Sequence, residues 1–447
     1  MGKKYVVLCT LLMILSSYSI GGTFMKSEEK KILVRNENPE FLSLATNSLF
    51  EKIVERLMKM AHMSAISAAI VKNNELVWAK GFGLYNREKN KAANENTIYL
   101  VASISKTFTA TAIMQLYEKG LLNIDDDINK YLPFPLRNPK YPNKPITIRM
   151  LLAHQSSLAE DPPGFYSRYP ADLEIEGYPY PWLKEYLTPG ELHYMPQIWS
   201  DYMPGEKMYY ANIGYSILGY IVELVSGKSF EEYCRENIFE PLGMKNTSFL
   251  FKNLNASKIA MPYLFYRGEY YPLLHYSILD YPAGGLRTSV VDLSRFLIAH
   301  INGGIYNGIK ILSERSVEEM HTVQYPSNTY NFQYGLGFQI WDIGREKYIG
   351  HTGGLYGVAT KMVFRKSDGT GVIYFINAEV RNLREIVAFS LIERLLFWKA
   401  SGFDENELTY EKIKETVRAN AHLIKDFNEK EMEEEIAYLL STSFLFS

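Results

Sequence analysis

Apolar positions along the chain change their spacing several times, and the changes divide it into elements. Over 41–60 they fall at helical intervals (Leu44, Leu49, Phe50, Ile53, Leu57), which predicts an amphipathic helix. Over 66–71 and 76–83 they form short strand-like runs joined by Asn73-Asn74, which predicts a β-hairpin. Helical patterns then dominate to about Asn302. The run 103–119 predicts an apolar helix ending at Gly120, and 212–225 a second one stopped by Gly227. Strand patterns return over 334–342, 347–350, 358–364 and 371–377, with a turn at Asp368-Gly369. The run 383–399 is again helical.

Strands near both ends with helices between them predict an α/β (α+β) fold. An antiparallel sheet is built from the N- and C-terminal segments and flanked by helices. A mainly helical lobe is inserted, with a cleft between lobe and sheet edge. The catalytic domain is expected over 41–400. Within it, 161–207 is long for a loop, lacks a clear period and is rich in Pro, Tyr and Trp. It reads either as a functional lid or as a surface loop pinned by its aromatic side chains. The tail 401–447 is charged and helix-compatible, ends in Phe444-Leu445-Phe446, and is expected to dock on the domain or on a partner subunit.

Composition narrows the class. The chain has 447 residues, 47% hydrophobic and 22% charged, which describes a globular protein. Its 48 Lys+Arg nearly balance 50 Asp+Glu, so nothing favours a nucleic-acid partner. Lys3 and Lys4 precede a mostly apolar run to Ile20, and Ser19-Ile20-Gly21 offers small residues for cleavage. Residues 1–23 therefore read as an export signal, either cleaved or kept as an N-terminal anchor, with 24–40 as a polar linker. Either way the remainder is expected outside the cytoplasm, in a periplasmic, extracellular or membrane-anchored place, and an anchor is the only membrane contact expected. The two cysteines are Cys9 and Cys234. Removal of the signal leaves Cys234 alone, and it reads as a small buried residue rather than a nucleophile.

Three short motifs carry the chemistry: Ser103-Ile104-Ser105-Lys106, Tyr210-Ala211-Asn212 and His351-Thr352-Gly353. Each pattern is cheap. Ser27-Glu28-Glu29-Lys30 and Tyr141-Pro142-Asn143 repeat the first two in linker and loop contexts. Context separates the real ones. Ser103 opens an apolar helix, where free N–H groups and the helix dipole favour an oxyanion. Lys106, three residues on, shares its face. In that positive, desolvated place a lysine is expected to lose its proton more readily and to serve as a base. Tyr210 falls on a turn before a helix, placed to take the serine proton, and Asn212 is placed to hydrogen-bond Lys106 or a substrate amide. The glycines after His351-Thr352 leave a strand edge open to a substrate backbone, and the Gly354 N–H is expected to face that of Ser103. His351 is expected to polarise Tyr210 or to touch the substrate.

In this order and context the motifs resemble those of the serine β-lactamase and penicillin-binding-protein superfamily, nearest its class C-like branch of hydrolases and esterases. The likeness covers about 41–398. It includes Leu151-Leu152-Ala153-His154-Gln155-Ser156-Ser157-Leu158, with Ser157 at a usual glycine, and the runs Phe239-Glu240-Pro241-Leu242-Gly243-Met244 and Pro282-Ala283-Gly284-Gly285-Leu286. It implies that Ser103 is the acylated nucleophile, that Lys106 and Tyr210 shuttle its proton, and that Asn212, His351, Thr352, Gly353 and Gly354 form the binding and oxyanion side. His351 stands where the β-lactamases proper have Lys. That departure turns the expectation toward esterase or D-amino-acid peptidase activity, with weak β-lactamase activity beside them.

The implied reaction acts on a small molecule or peptide with an ester or amide bond, needs no cofactor, and uses no metal. Arg381 or Arg384 could replace the missing charge, although a solvated helix face is the plainer reading. His154 is expected to be structural, and Asp125-Asp126-Asp127 to cap a helix. The rival to an enzyme is a catalytically silent relative that binds cell-wall-type ligands.

Overall fold

In a computed structural model of the chain, the described residues are 48–159, 167–168, 171, 182–325, 330 and 332–402. The expected signal, linker and tail, and most of the first half of the proposed lid, lie outside them.

Eight strands make the main sheet. Two come early as a hairpin, β1 (Ala65–Lys72) and β2 (Glu75–Asn86), followed by the short β3 (Lys91–Ala92). Five come late: β4 (Gln333–Tyr334), β5 (Gln339–Ile343), β6 (Glu346–Leu355), β7 (Val358–Arg365) and β8 (Gly371–Ile376). The order is β4-β5-β6-β7-β8-β1-β2-β3, antiparallel throughout. The early hairpin therefore closes on the last strand, pairing Ile66 with Ile376 and Ile70 with Val372. Its turn residues Asn73 and Asn74 both have positive φ (53° and 60°), the backbone that a tight right-twisting hairpin needs.

Side chains alternate across the sheet, so each apolar strand feeds two cores. Ile66, Ala68 and Ile70 of β1 and Val372, Tyr374 and Ile376 of β8 face helices α1 (Leu49–Met60) and α6 (Leu383–Ala400). Ala69 and Val71, with Ile373 and Phe375, face the helical lobe. There α2 (Ser105–Glu118) is buried from Ser105 to Leu116 and lies against α3 (Asn212–Ser226). Two shorter elements also pack on α2: the single turn α4 (Tyr281–Gly284) and α5 (Val290–Ile301), whose Phe296 stacks on Phe108 at 3.9 Å. Thr107 and Thr111 keep their hydroxyls satisfied inside this core by donating to carbonyls one turn back.

Three boundaries differ from the sequence pattern. The predicted strand 334–342 is two strands, because the chain reverses at Gly335–Phe338 and Gly337 takes φ +84°. The predicted strand 347–350 runs on to Leu355, so the His351 motif lies within a strand rather than after one. Ser103 sits in a 3-10 turn (Ala102–Ile104) ahead of α2 rather than in the α-helix itself. The mixed α/β class and the antiparallel sheet built from early and late strands are as expected.

Candidate active site

The nucleophile turn is held from three directions. Val101 N–H donates to the Leu286 carbonyl at 2.8 Å, Thr360 Oγ1 donates to the Val101 carbonyl at 2.9 Å, and Ser105 Oγ donates to the Ala102 carbonyl at 2.6 Å. Ala102 is forced to φ +50° although it carries a Cβ, a strained setting that the surrounding bonds impose. Ser103 is left partly exposed at the start of α2, with the positive end of that helix behind it.

Lys106 is fully buried. Its Nζ lies 3.1 Å from Ser103 Oγ, 2.7 Å from Asn212 Oδ1 and 2.7 Å from the Ala283 carbonyl. Those last two oxygens accept and cannot donate. A neutral amine has two N–H bonds and one lone pair. An ammonium can donate to all three oxygens; a lysine that has lost a proton can keep both bonds to Asn212 and Ala283 and turn its lone pair to the Ser103 hydroxyl. The three partners come from the 3-10 turn before α2, from α3 and from α4, which is why the constellation exists only in the folded chain. Thr109 Oγ1, donating to the Pro282 carbonyl at 2.6 Å, fixes α4 against α2 and so places the Ala283 oxygen.

Tyr210 borders the same space, its ring centroid 4.9 Å from Lys106 Nζ. His154 packs on that ring at 4.2 Å and accepts from the Ala211 N–H through Nδ1 at 3.2 Å. Buried His154 thus supports the turn that carries the second motif. In the same run Ser157 takes φ +64°, the backbone a glycine adopts freely. Its Oγ accepts from Asn138 Nδ2 at 3.2 Å.

The third motif forms the opposite wall. Past Gly350, β6 is no longer paired with β5, so one edge of 351–355 is open. The Thr352 N–H reaches toward that edge and donates to Gln339 Oε1 at 2.8 Å. By the two-residue period of a strand, the Gly354 N–H points the same way. Gly353 lets the strand approach Ser103: a Cβ there would sit 2.3 Å from both the Val101 carbonyl oxygen and Thr360 Oγ1. At Gly354 an added Cβ would meet open space.

His351 is fully buried and bonded within the protein. Its Nδ1 lies 2.6 Å from the Thr352 carbonyl, which can only accept, so Nδ1 carries the proton. Nε2 is then the acceptor for the Tyr334 hydroxyl at 2.8 Å. Burial, with the field of Lys106 second, pushes the imidazole down to about 3, so it is neutral at ordinary pH. The ring braces Tyr334 and also lies near Tyr210, with centroids 6.3 Å apart, the same distance as that from Tyr334 to Tyr210, whose rings stand edge-on. Thr352 Oγ1 also donates to Gln339 Oε1, at 3.0 Å.

The structure thus brings Ser103, Lys106, Tyr210, Asn212 and 351–354 to one place. Of the two arginines considered for a charge role, Arg381 pairs with Glu379 and the charge of Arg384 acts on His62. Cys234 is buried, and burial raises its thiol far above the ordinary range, which suits a packing residue. Asp127 caps the turn Ile128–Lys130, as expected. Among the described residues no cluster of His, Cys, Asp or Glu could hold a metal ion, and no helix is long and apolar enough to cross a membrane. Sequence reasoning missed Gln339 and Tyr334, which no local pattern marks. It also missed Ala283 as a lysine partner, because a backbone carbonyl leaves no trace in residue identity.

A serine, a buried lysine beside it and an open strand edge, set between an antiparallel sheet and a helical lobe, are the frame of a serine hydrolase. The chain belongs to the Beta-lactamase family, whose family model matches residues 50–396. It is 29% identical over 376 residues to PbpX of Bacillus subtilis (strain 168), named as a penicillin-binding protein, with 81% of each chain covered. Among solved structures it is similar to the octameric penicillin-binding protein homologue from Pyrococcus abyssi, with a TM-score of 0.64, 28% identity, and 82% and 80% of the two chains covered. D-amino acid amidase from Ochrobactrum anthropi SV3 shares the fold at 20% identity and a TM-score of 0.61, covering 80% of this chain and all of the other.

Proposed function

We propose that the protein is an exported hydrolase that cleaves an ester or amide bond through an acyl-enzyme on Ser103. The observation that carries this reading is the Lys106 geometry: its buried Nζ lies 3.1 Å from Ser103 Oγ and is held there by two oxygens that can only accept, Asn212 Oδ1 and the Ala283 carbonyl. Ser103 Oγ attacks the substrate carbonyl carbon as its proton passes to Lys106 Nζ. The carbonyl π electrons move onto oxygen, which the N–H groups of Ser103 and Gly354 receive. When the tetrahedral intermediate collapses, the bond to the leaving nitrogen or oxygen breaks. The proton reaches that atom from Lys106, with the Tyr210 phenol as relay. Water then repeats the sequence on the acyl ester, giving the acid and restoring Ser103.

The D-amino acid amidase and the penicillin-binding protein relatives support an amide or peptide acyl donor. The neutral His351 supports donors that do not depend on a fixed positive charge at the strand. Export rests on the Lys3-Lys4 start and the apolar run that follows. A fluorophosphonate probe tests the chemistry: wild type should be labelled and Ser103→Ala should not. Equal labelling of the two, or no labelling of folded wild type, ends the proposal. A screen of small esters, D-amino-acid amides and a chromogenic cephalosporin then ranks the acyl donors.

A further inference from the structure

Behind Lys106 the fold buries a carboxylate that the mechanism above does not use. Asp280 is 4% exposed and opens α4, three residues before the Ala283 carbonyl that binds Lys106 Nζ. Its Oδ1 is buried and has no hydrogen-bond partner, and it does not cap the helix it precedes. An unsatisfied buried carboxylate oxygen is costly, so its presence at the head of the turn whose Ala283 carbonyl binds Lys106 calls for a physical reason. A packing role gives none, since a neutral isostere would fill the space without the cost.

Charge supplies one. Of the charged side chains on the elements packed against α4, α2 contributes Lys106 and Glu118, α3 contributes Glu223, and the short helix Phe230–Cys234, whose Phe230 meets Tyr281, contributes Glu231 and Glu232; the strand Ser277–Ile278 and the 3-10 turn at Ser103 contribute none. Only Lys106 acts on Asp280. We propose that Asp280 is a positioning residue that sets the proton balance of Lys106, stabilising the ammonium that forms when the amine takes the Ser103 proton. The proposal rests on the acyl-enzyme reading of Ser103 and Lys106.

The Ser103 O–H bond breaks as its oxygen forms the bond to the acyl carbon, and the Lys106 lone pair becomes the new N–H bond. The added positive charge appears in a fully buried place where Asn212 and Ala283 offer dipoles but no net charge. Asp280 supplies the net negative charge. Burial holds its carboxyl up, to about 6, and the field of Lys106 opposes that rise.

The test is the pH profile of Ser103 labelling by a fluorophosphonate in wild type and Asp280→Asn. Loss of the anion favours the neutral amine, so the acidic limb should move to lower pH by about one unit. The plateau rate should fall about tenfold, because the ammonium loses its counter-charge. A role in packing alone would lower the plateau and leave the limb in place, and that result overturns the proposal. Failure of wild type to label at any pH would instead sink the acyl-enzyme reading.

If Asp280→Asn does not fold, the titration of the Asp280 carboxyl, followed by carbon-13 NMR, decides. It should move up by about a unit or more in Lys106→Met, because removing the cation leaves burial unopposed. An unmoved titration means that the two groups do not communicate.

Discussion

Asn212 Oδ1 accepts a 2.7 Å hydrogen bond from Lys106 Nζ across 106 residues of chain. An amide oxygen in that position accepts without imposing a charge, so the lysine stays free to be an amine. Asn212→Asp keeps the shape and adds an anion that favours the ammonium. The acidic limb of Ser103 acylation should therefore move to higher pH by a unit or more, with about a tenfold loss at neutral pH. Labelling rates across pH measure it. A profile that stays in place would show that Asn212 does not govern the state of Lys106.

Two adjacent glycines should respond in opposite ways. A Cβ at Gly353 would lie 2.3 Å from the Val101 carbonyl, on the backbone that carries the nucleophile. Gly353→Ala should cost about 1–3 kcal/mol and displace Ser103. Gly354→Ala points into open space, keeps its N–H, and should leave the melting temperature unchanged. Thermal melts of the two variants, with labelling rates, make the comparison; equal melts would mean that strand β6 does not clamp the nucleophile turn.

Gln339 occupies the two polar groups of Thr352 that face the open edge. Gln339→Ala frees an N–H and a hydroxyl there. Turnover of acyl donors bearing a carboxylate should rise relative to matched neutral donors, by about threefold to tenfold, the worth of one hydrogen bond. Paired ester substrates differing only in that carboxylate give the ratio, and an unchanged ratio would show that Thr352 does not meet substrate.

Acid should weaken the fold through its buried histidines. Thr111 gives its hydroxyl proton to the Thr107 carbonyl, so His300 Nε2 must donate to Thr111 Oγ1 and Nδ1 is left bare and buried. Burial pushes His300 down to about 3 from the ordinary 6.5. Between those values the unfolded chain binds a proton that the folded one refuses. Stability is therefore lost as pH falls below 6.5, by about 1.4 kcal/mol at pH 5.5 for this one group. His300→Phe leaves Thr111 satisfied by Thr107 and should flatten the decline by about that amount. Denaturant melts at pH 8 and 5.5 test this, and a decline as steep as wild type's would clear His300.

What could be read from the sequence was local. Period-two and helical spacing, Asn73-Asn74 and Gly227 marked the hairpin, the core helices and the late strands, because backbone preference and amphipathicity act over a few residues. Ser103 and Lys106 were readable too, since three residues of helix bring them to one face. The strand break at Gly335–Phe338 was not, because apolar residues flank Gly335 and Gly337 and only pairing with a neighbour shows that the chain turns there.

Taken alone, the sequence determined the elements, the motif set and the family resemblance. The tertiary structure decided what each motif does. It closed the early hairpin on β8, joined α2, α3 and α4 around one amine, and bonded His351 to Tyr334. It also exposed Asp280, whose meaning depends on a buried oxygen without a partner. Hydrogen-bond direction and burial belong to groups distant in sequence, and folding is what brings them within reach.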